Sequence, residues 1–384
     1  MRVSLVLAFL MALSPFVGGA ASAQTKQKGT KLQKAAPAYS HQDEREKANE
    51  NLLMVLGGTL GGPYITLSQD IAIAVNDGDN LRVLPIAGDG AVKNVRDILL
   101  LRGVDLGITS VQVLNDLKAS GLYGPNLDRR IAYVAPLGVD RFHVLARPEI
   151  KSLKDLNGKK VNVLAKGSGT AAFGPRVLKA LGIEIVQVHA THNDGVQMMR
   201  AGEIDAALCV CPVPVPAYAA VKQEWGFKFL EVPYIAALEE SYLPGSLPGE
   251  GYPNLIAKGS NVQTVATSTV LITYNWQPGS ERYMKIERFV DAFFSKFDKL
   301  RQPPHHPTWR EANFAATIRG WQRFRAAQQW LDRQEAEAAA KALATGVNVT
   351  QAKAQAARAA PHDAAEQERL FKEFLEWTRK RPRQ

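Results

Sequence analysis

The chain of 384 residues holds only two cysteines, Cys209 and Cys211. So sparse a supply excludes a small scaffold stapled by disulfides, and their spacing fits no standard zinc pattern. Beyond Gln24 no apolar run approaches the roughly 18 residues that a membrane span requires. The dinucleotide fingerprint G-x-G-x-x-G is missing, as are a Gly-Lys-Ser/Thr phosphate loop, the G-x-S-x-G elbow and H-E-x-x-H. Nucleotide-dependent and common hydrolytic chemistries therefore have no signature here. No repeat of solenoid period is visible.

Positive charge, by contrast, is in excess: 47 Lys and Arg against 37 Asp and Glu, a net +10. A basic surface favours acidic solutes or anionic membrane and wall surfaces. The first residues point to export. Arg2 precedes an apolar stretch at 3–16, and Ala21-Ser22-Ala23 reads as a cleavage signal before Gln24. Residues 1–23 are thus expected to be a signal peptide, with no cysteine at the cut for a lipid anchor. That implies a periplasmic protein and makes nucleic acid an unsuitable partner. Residues 24–48, rich in Lys, Gln, Ala and Pro, read as a flexible leader.

Two glycine corners stand out. Gly57-Gly58-Thr59-Leu60-Gly61-Gly62-Pro63-Tyr64 follows the apolar run 52–56, and Lys166-Gly167-Ser168-Gly169-Thr170 follows the run 161–165. Each breaks a strand and opens a helix, leaving N–H groups unpaired at the positive end of the helix dipole, where an anion can sit. Ordinary strand-to-helix punctuation is the plainer reading of either corner alone.

Strand and helix patterns alternate along the chain, as in α/β proteins. Strands at 52–56, 81–87, 105–109 and 131–137, with helices at 64–76, 91–102 and 111–119, suggest a first lobe. The chain crosses over near 142–146. Strands at 161–165, 183–188, 206–210 and 228–232, with helices at 170–181, 194–201 and 216–225, suggest a second. Residues 243–253 read as a Pro/Gly-rich connection, 262–274 as a strand returning to the first lobe, and 281–300 as a helix. The expected division is lobe I at 49–139 and 259–300, lobe II at 140–258, and a helical C-terminal extension at 301–384. Within the extension, 309–334 and 336–344 are helical by propensity. Leu370, Phe371, Phe374 and Leu375 form an apolar stripe that either docks on the body or meets a membrane surface or envelope partner.

The pieces taken together resemble the periplasmic solute receptors of TRAP transporters, in the branch called TAXI. Gly58-Thr59, Gly61-Gly62 and Tyr64 look like the opening loop, and Gly88-Asp89-Gly90-Ala91 occupies the second. Val104-Asp105-Leu106-Gly107 with Thr109-Ser110 resembles the third strand and its polar end. Lys151-Ser152-Leu153-Lys154-Asp155-Leu156-Asn157-Gly158-Lys159-Lys160-Val161, then Gly167-Ser168-Gly169-Thr170 and Ala201-Gly202-Glu203-Ile204-Asp205-Ala206, complete the series over about residues 50–300. The chain departs from that pattern at Ile65 and Thr66 after Tyr64, at Asp89 and Ala91, and at Lys166. The resemblance implies an α/β, two-lobe periplasmic-binding-protein class II (Venus flytrap) fold. It also implies a receptor, not an enzyme, that delivers a small anionic or zwitterionic solute to integral-membrane TRAP permease subunits. An ABC-importer receptor of the same fold is the alternative, as is an envelope sensing protein with a solute-binding core. No cofactor and no metal are expected.

Ligands of open α/β sheets collect beyond the carboxyl ends of strands. The candidate contacts there are Thr59, Gly61, Gly62, Tyr64, Asp89, Gly90, Ala91, Thr109, Ser110, Lys166, Gly167, Ser168, Gly169, Thr170, Cys211 and Pro212. Arg141, at the crossing between lobes, either reaches a carboxylate or joins a surface ion pair. Asp89 either meets an ammonium or caps the helix beginning near Ala91, and capping is the commoner role. Tyr64 offers a wall and a hydroxyl, or simply packs. His189 and His192 with the two cysteines suggest a metal site less strongly than helix-start and core roles. The cysteines themselves, two apart on a strand, are expected to be free or loosely redox-active thiols, because bridging an extended strand would strain it.

Overall fold

The computed structural model describes residues 41–344, except 79, 240 and 241, together with 367, 370 and 371. The expected signal peptide, residues 24–40 of the leader, and Phe374 and Leu375 lie outside the described residues. The end of the expected leader is helical instead: α1 (His41–Glu50) carries Asp43 and Glu44 in its first turn, where the helix dipole favours acids. No helix among the described residues is long and apolar enough to cross a membrane.

The chain then alternates. β1 (Leu52–Leu56), α2 (Pro63–Val75), β2 (Arg82–Ile86), α3 (Ala91–Leu100), β3 (Leu106–Ser110) and α4 (Val111–Ser120) lead into the 16-residue strand β4 (Ile131–Ala146). β5 (Lys160–Asn162), α5 (Gly169–Ala180), β6 (Val186–Val188), α6 (His192–Ala201), β7 (Ala206–Cys211) and the short β8 (Lys228–Phe229) follow. β9 (Leu243–Pro248), β10 (Asn261–Tyr274), α7 (Glu281–Ser295) and α8 (Arg325–Ala344) come last, with single-turn helices at Leu127–Arg130, Pro216–Ala219, Ala236–Glu239 and Phe297–Leu300 between these elements.

The ten strands of the described residues join one sheet, eight of them along the path β2-β1-β3-β10-β4-β7-β5-β6, with β8 paired to β4 and β9 to β10. β1 pairs in parallel with β2 and β3, and β5 pairs in parallel with β6 and β7. Between these two parallel sets run the long strands β4 and β10, antiparallel to each other. Each changes partner midway. β10 pairs with β3 through Thr269–Thr273 and with β9 through Asn261–Ala266. β4 pairs with β10 from Ile131 to Arg141 and with β7 from Arg141 to Ala146. One half therefore gathers around β1–β3 and the other around β5–β7, with two shared strands joining them. This is the two-lobed α/β fold expected from the sequence.

Every residue of β3 and of β7 is buried, as their places inside the sheet demand. The helices cover its faces with apolar residues such as Leu67 and Ile71 of α2, Val95 and Ile98 of α3, and Val177 and Leu178 of α5.

Two expectations about local structure are corrected. Residues 243–248 form edge strand β9 rather than a connection, because the adjacent β-branched strand β10 offers a free edge for them to pair with. Residues 311–324 are not helical. A helix would set Trp309 and Phe314 roughly 140° apart around its axis. In the folded chain both rings pack on Phe293, at 6.0 and 4.9 Å between centroids, and Trp321 and Phe324 are buried as well. Burying that aromatic set outweighs local propensity, and regular helix resumes only at Arg325.

The segment that follows α7 is pinned through Asp70. That buried carboxylate accepts from the ring of His305 at 3.0 Å, the backbone of His306 at 2.8 Å and the indole of Trp309 at 2.9 Å. His306 Nε2 then donates to the Pro214 carbonyl at 2.8 Å, reaching the other half of the molecule.

Candidate functional site

At the carboxyl ends of the strands, helix starts from both halves converge on one cavity of about 40 Å³. Its wall includes Thr59, Gly62, Tyr64, Asp89, Gly90, Ala91 and Ser110 from one half, and Ser168, Gly169, Thr170 and Cys211 from the other. Gly58, Pro63, Leu164, His192 and Val210, not among the candidate contacts, also line it.

The helix starts differ in how their N–H groups are used. α2 begins at Gly62 without a side-chain cap, and Pro63 has no N–H to give. Gly57 makes the turn beneath it possible: a Cβ there would lie 2.7 Å from the Ile65 backbone. At α4, Ser110 caps Val113, and at α6, Thr191 caps Asp194. At α5, Ser168 Oγ accepts from the Ala171 N–H at 3.0 Å. The N–H groups of Gly169 and Thr170 take no protein acceptor among the described residues. The Thr170 hydroxyl accepts from Val210 N–H at 2.9 Å, which fixes it against β7 and leaves its own proton to donate.

α3 is capped across the cleft. Val92 and Lys93 both donate, at 3.1 Å each, to the carbonyl of Gly167 in the opposite half. The backbones approach so closely that a Cβ on Gly90 would lie 3.0 Å from Ser168 Cα. Gly90 is the N-cap, at φ 112°, which corrects the capping role expected for Asp89. Asp89 instead pairs with Lys93 at 2.9 Å, one turn along. The cleft is thus drawn shut here, and Arg176 of α5 meets Asp116 of α4 beside it.

Several candidates lie elsewhere. Thr109 is fully buried and donates to the Ala91 carbonyl at 3.1 Å, supporting the corner from behind. Lys166 is exposed and outside the wall, as its place at the outer edge of the turn dictates. Gly61, at φ 77°, packs against the Asn193 side chain, and Pro212 is buried just past β7. Arg141 makes a two-pronged pair with Glu311, at 3.0 and 2.9 Å, so its guanidinium is already engaged. Tyr64 gives the cavity a wall but not a hydroxyl, since its O–H donates to Asp140.

Asp140 is the buried acid that sequence reasoning missed. It accepts from Tyr64 and, at 2.6 Å, from the Thr269 hydroxyl. Burial outweighs those bonds and pushes its carboxyl up to about 7. His192, the first residue of α6, is 3% exposed, and burial lowers it to about 4, so the imidazole is neutral near pH 7. Nearby His143 is lowered to about 3 by burial and accepts from the Tyr252 hydroxyl at 2.7 Å. His189 takes no part in the wall; its Nδ1 donates to the Leu164 carbonyl at 2.7 Å. Leu164 itself holds φ at 66°, a conformation rare for a branched residue.

The two cysteines are joined in a disulfide, which corrects the expectation of free thiols. Their Cα atoms are 5.5 Å apart, inside the range of about 4.4–6.8 Å that disulfides use. The strand end is contracted rather than fully extended, and the i, i+2 side chains share a face.

The NMT1-like family matches residues 55–321. Among solved structures, one described as a periplasmic transporter is 14% identical, with a TM-score of 0.44 over 66% of this chain and 84% of its own. The alkanesulfonate-binding protein SsuA from Xanthomonas axonopodis pv. citri, bound to MOPS, is 14% identical, with a TM-score of 0.39 over 75% and 91% of the two chains. An ancestral arginine-binding protein bound to arginine is 16% identical, with a TM-score of 0.39 over 65% and 96%.

Proposed function

The chain belongs to the NMT1-like family, and from that premise we propose that it is an extracytoplasmic solute receptor. It captures a small organic acid or amino acid between its halves and delivers it to a TRAP-type permease, with no chemistry on the solute. One observation carries this reading: glycine-turned helix starts from both halves line a single cavity, which the contact between the halves closes down to about 40 Å³. N–H groups at helix starts favour negative charge. Among the described residues the only carboxylate in the wall, Asp89, is neutralised by Lys93, and His192 is neutral, so an anion meets no uncompensated negative charge there. The basic surface helps to gather acidic solutes.

Delivery follows from closure. A guest touching both corners has more partners when the halves meet than when they part, so it shifts the population toward the shut form. A membrane partner that recognises that form receives loaded protein preferentially.

The test is calorimetry on the chain from Gln24 against mono- and dicarboxylates and amino acids. One-to-one binding of a member of that set is expected, and failure of all of them to bind would sink the receptor reading. Uptake of the identified solute into vesicles holding TRAP permease subunits, only when the protein is added, tests the partner separately.

A further inference from the structure

One cluster beside the cavity, of which His192 and Cys211 line the wall, is not needed for the anion-capture reading. His192, Cys209 and Cys211 are all buried, and each offers a ligand atom within 4.8 Å of the other two. His192 Nδ1 is buried and has no hydrogen-bond partner among the described residues. An orphaned imidazole nitrogen is costly in a protein interior unless something binds it. The ring is held by its position as the first residue of α6, edge-on to Tyr218 at 6.0 Å between centroids. The two sulfurs come from one fully buried strand, β7, on the same face.

We propose that His192, Cys209 and Cys211 form a site for a thiophilic d10 cation, Zn²⁺ or Cu⁺, which opens when the Cys209–Cys211 disulfide is reduced. Bonds of about 2.3 Å to sulfur and about 2.1 Å to nitrogen place ligand atoms within about 4 Å of one another around a tetrahedral ion. The observed grouping, within 4.8 Å throughout, comes near that spacing. Two thiolates and one imidazole are a soft donor set suited to these ions. His192 and Cys211 line the cavity, so water or a guest can supply a further ligand.

The redox step balances with a dithiol as reductant. Its two electrons and two protons pass to the disulfide, the S–S bond breaks to give two thiols, and the dithiol closes to its own disulfide. Metal binding then releases both thiol protons to solvent. The oxidised form, lacking thiolates, leaves only the imidazole and binds no ion tightly. The site stands whether or not the solute reading does, since it needs only these three side chains.

The experiment compares the oxidised chain with the same chain reduced by dithiothreitol and desalted without oxygen. Each is titrated with Co²⁺ as a spectroscopic probe, then with Zn²⁺ and Cu⁺. One equivalent bound by the reduced chain alone is expected, with thiolate-to-cobalt charge-transfer absorption and a shell of two sulfurs and one nitrogen by X-ray absorption. His192→Ala should weaken binding at least tenfold. No binding by the reduced chain, equal binding by the oxidised chain, or a shell without both sulfur and nitrogen overturns the proposal, and none of these readouts depends on a variant folding.

Discussion

The Tyr64 hydroxyl, at the cavity wall, donates to the Asp140 carboxylate, which sits where β4 changes partner between the halves. Asp140 is held at about 7 in the fold against 3.8 for an exposed group. Folded protein therefore keeps a proton that the unfolded chain has released between those values. The stability linked to this group is full below about pH 4 and is lost as pH rises toward 7. Asp140→Asn should remove that dependence, while the histidine contributions cancel in the comparison. Relative to the variant, the native protein should lose stability from pH 4 to 7, by at most about 4 kcal/mol. Parallel denaturation curves across that range would refute the assignment.

Gly90 and Gly103 both hold positive φ, 112° and 86°, but only Gly90 faces the opposite half. Gly103→Ala should cost about 1 kcal/mol of stability and leave closure alone, since nothing lies within 4 Å of the new methyl. Gly90→Ala should add a wedge against Ser168 and hold the halves apart. Small-angle scattering would show a larger radius of gyration for that variant only, and the result to watch for is equal radii in the two.

Ser168 and Thr170 have different duties. Ser168→Ala removes the cap on α5 and should lower stability by about 1 kcal/mol. Thr170→Val removes a hydroxyl whose proton is free for a guest, and should weaken an acidic solute by roughly 1–3 kcal/mol. Calorimetry showing unchanged affinity for Thr170→Val would take that hydroxyl out of the site.

Asp70 collects donors from His305, His306 and Trp309. Asp70→Ala leaves three buried donors without their acceptor and should cost about 3–5 kcal/mol, seen as a lower urea midpoint. A midpoint that stays put would mean that the segment after α7 is not held through this carboxylate.

The local signals were the legible ones. A strand that breaks into Gly57-Gly58 or Gly167-Ser168 and restarts as a helix states its geometry within a dozen residues. The sequence could not show that His192 joins the same wall, because a histidine at a helix start looks the same whether its neighbours are solvent or sulfur. Asp140 looked like any strand acid: it keeps its proton because the fold buries it, and the two hydroxyls that bond it lie 76 and 129 residues away. Asp89 was misassigned because the preference of Asp for N-caps ignores that the chain reaches α3 through a left-handed Gly90. Residues 311–324 were misread because their Ala and Arg content speaks to propensity, while Trp309 and Phe314 answer to Phe293.

His306 hangs from Asp70 on one side and reaches the Pro214 carbonyl on the other, with Thr308 lodged against Gly138 of β4 between them. The chain beyond α7 is thereby a splint against the shared strand β4. Any swing of the halves has to flex or release that imidazole contact and the Arg141–Glu311 pair beside it, so the mouth can gape while the spine stays in register.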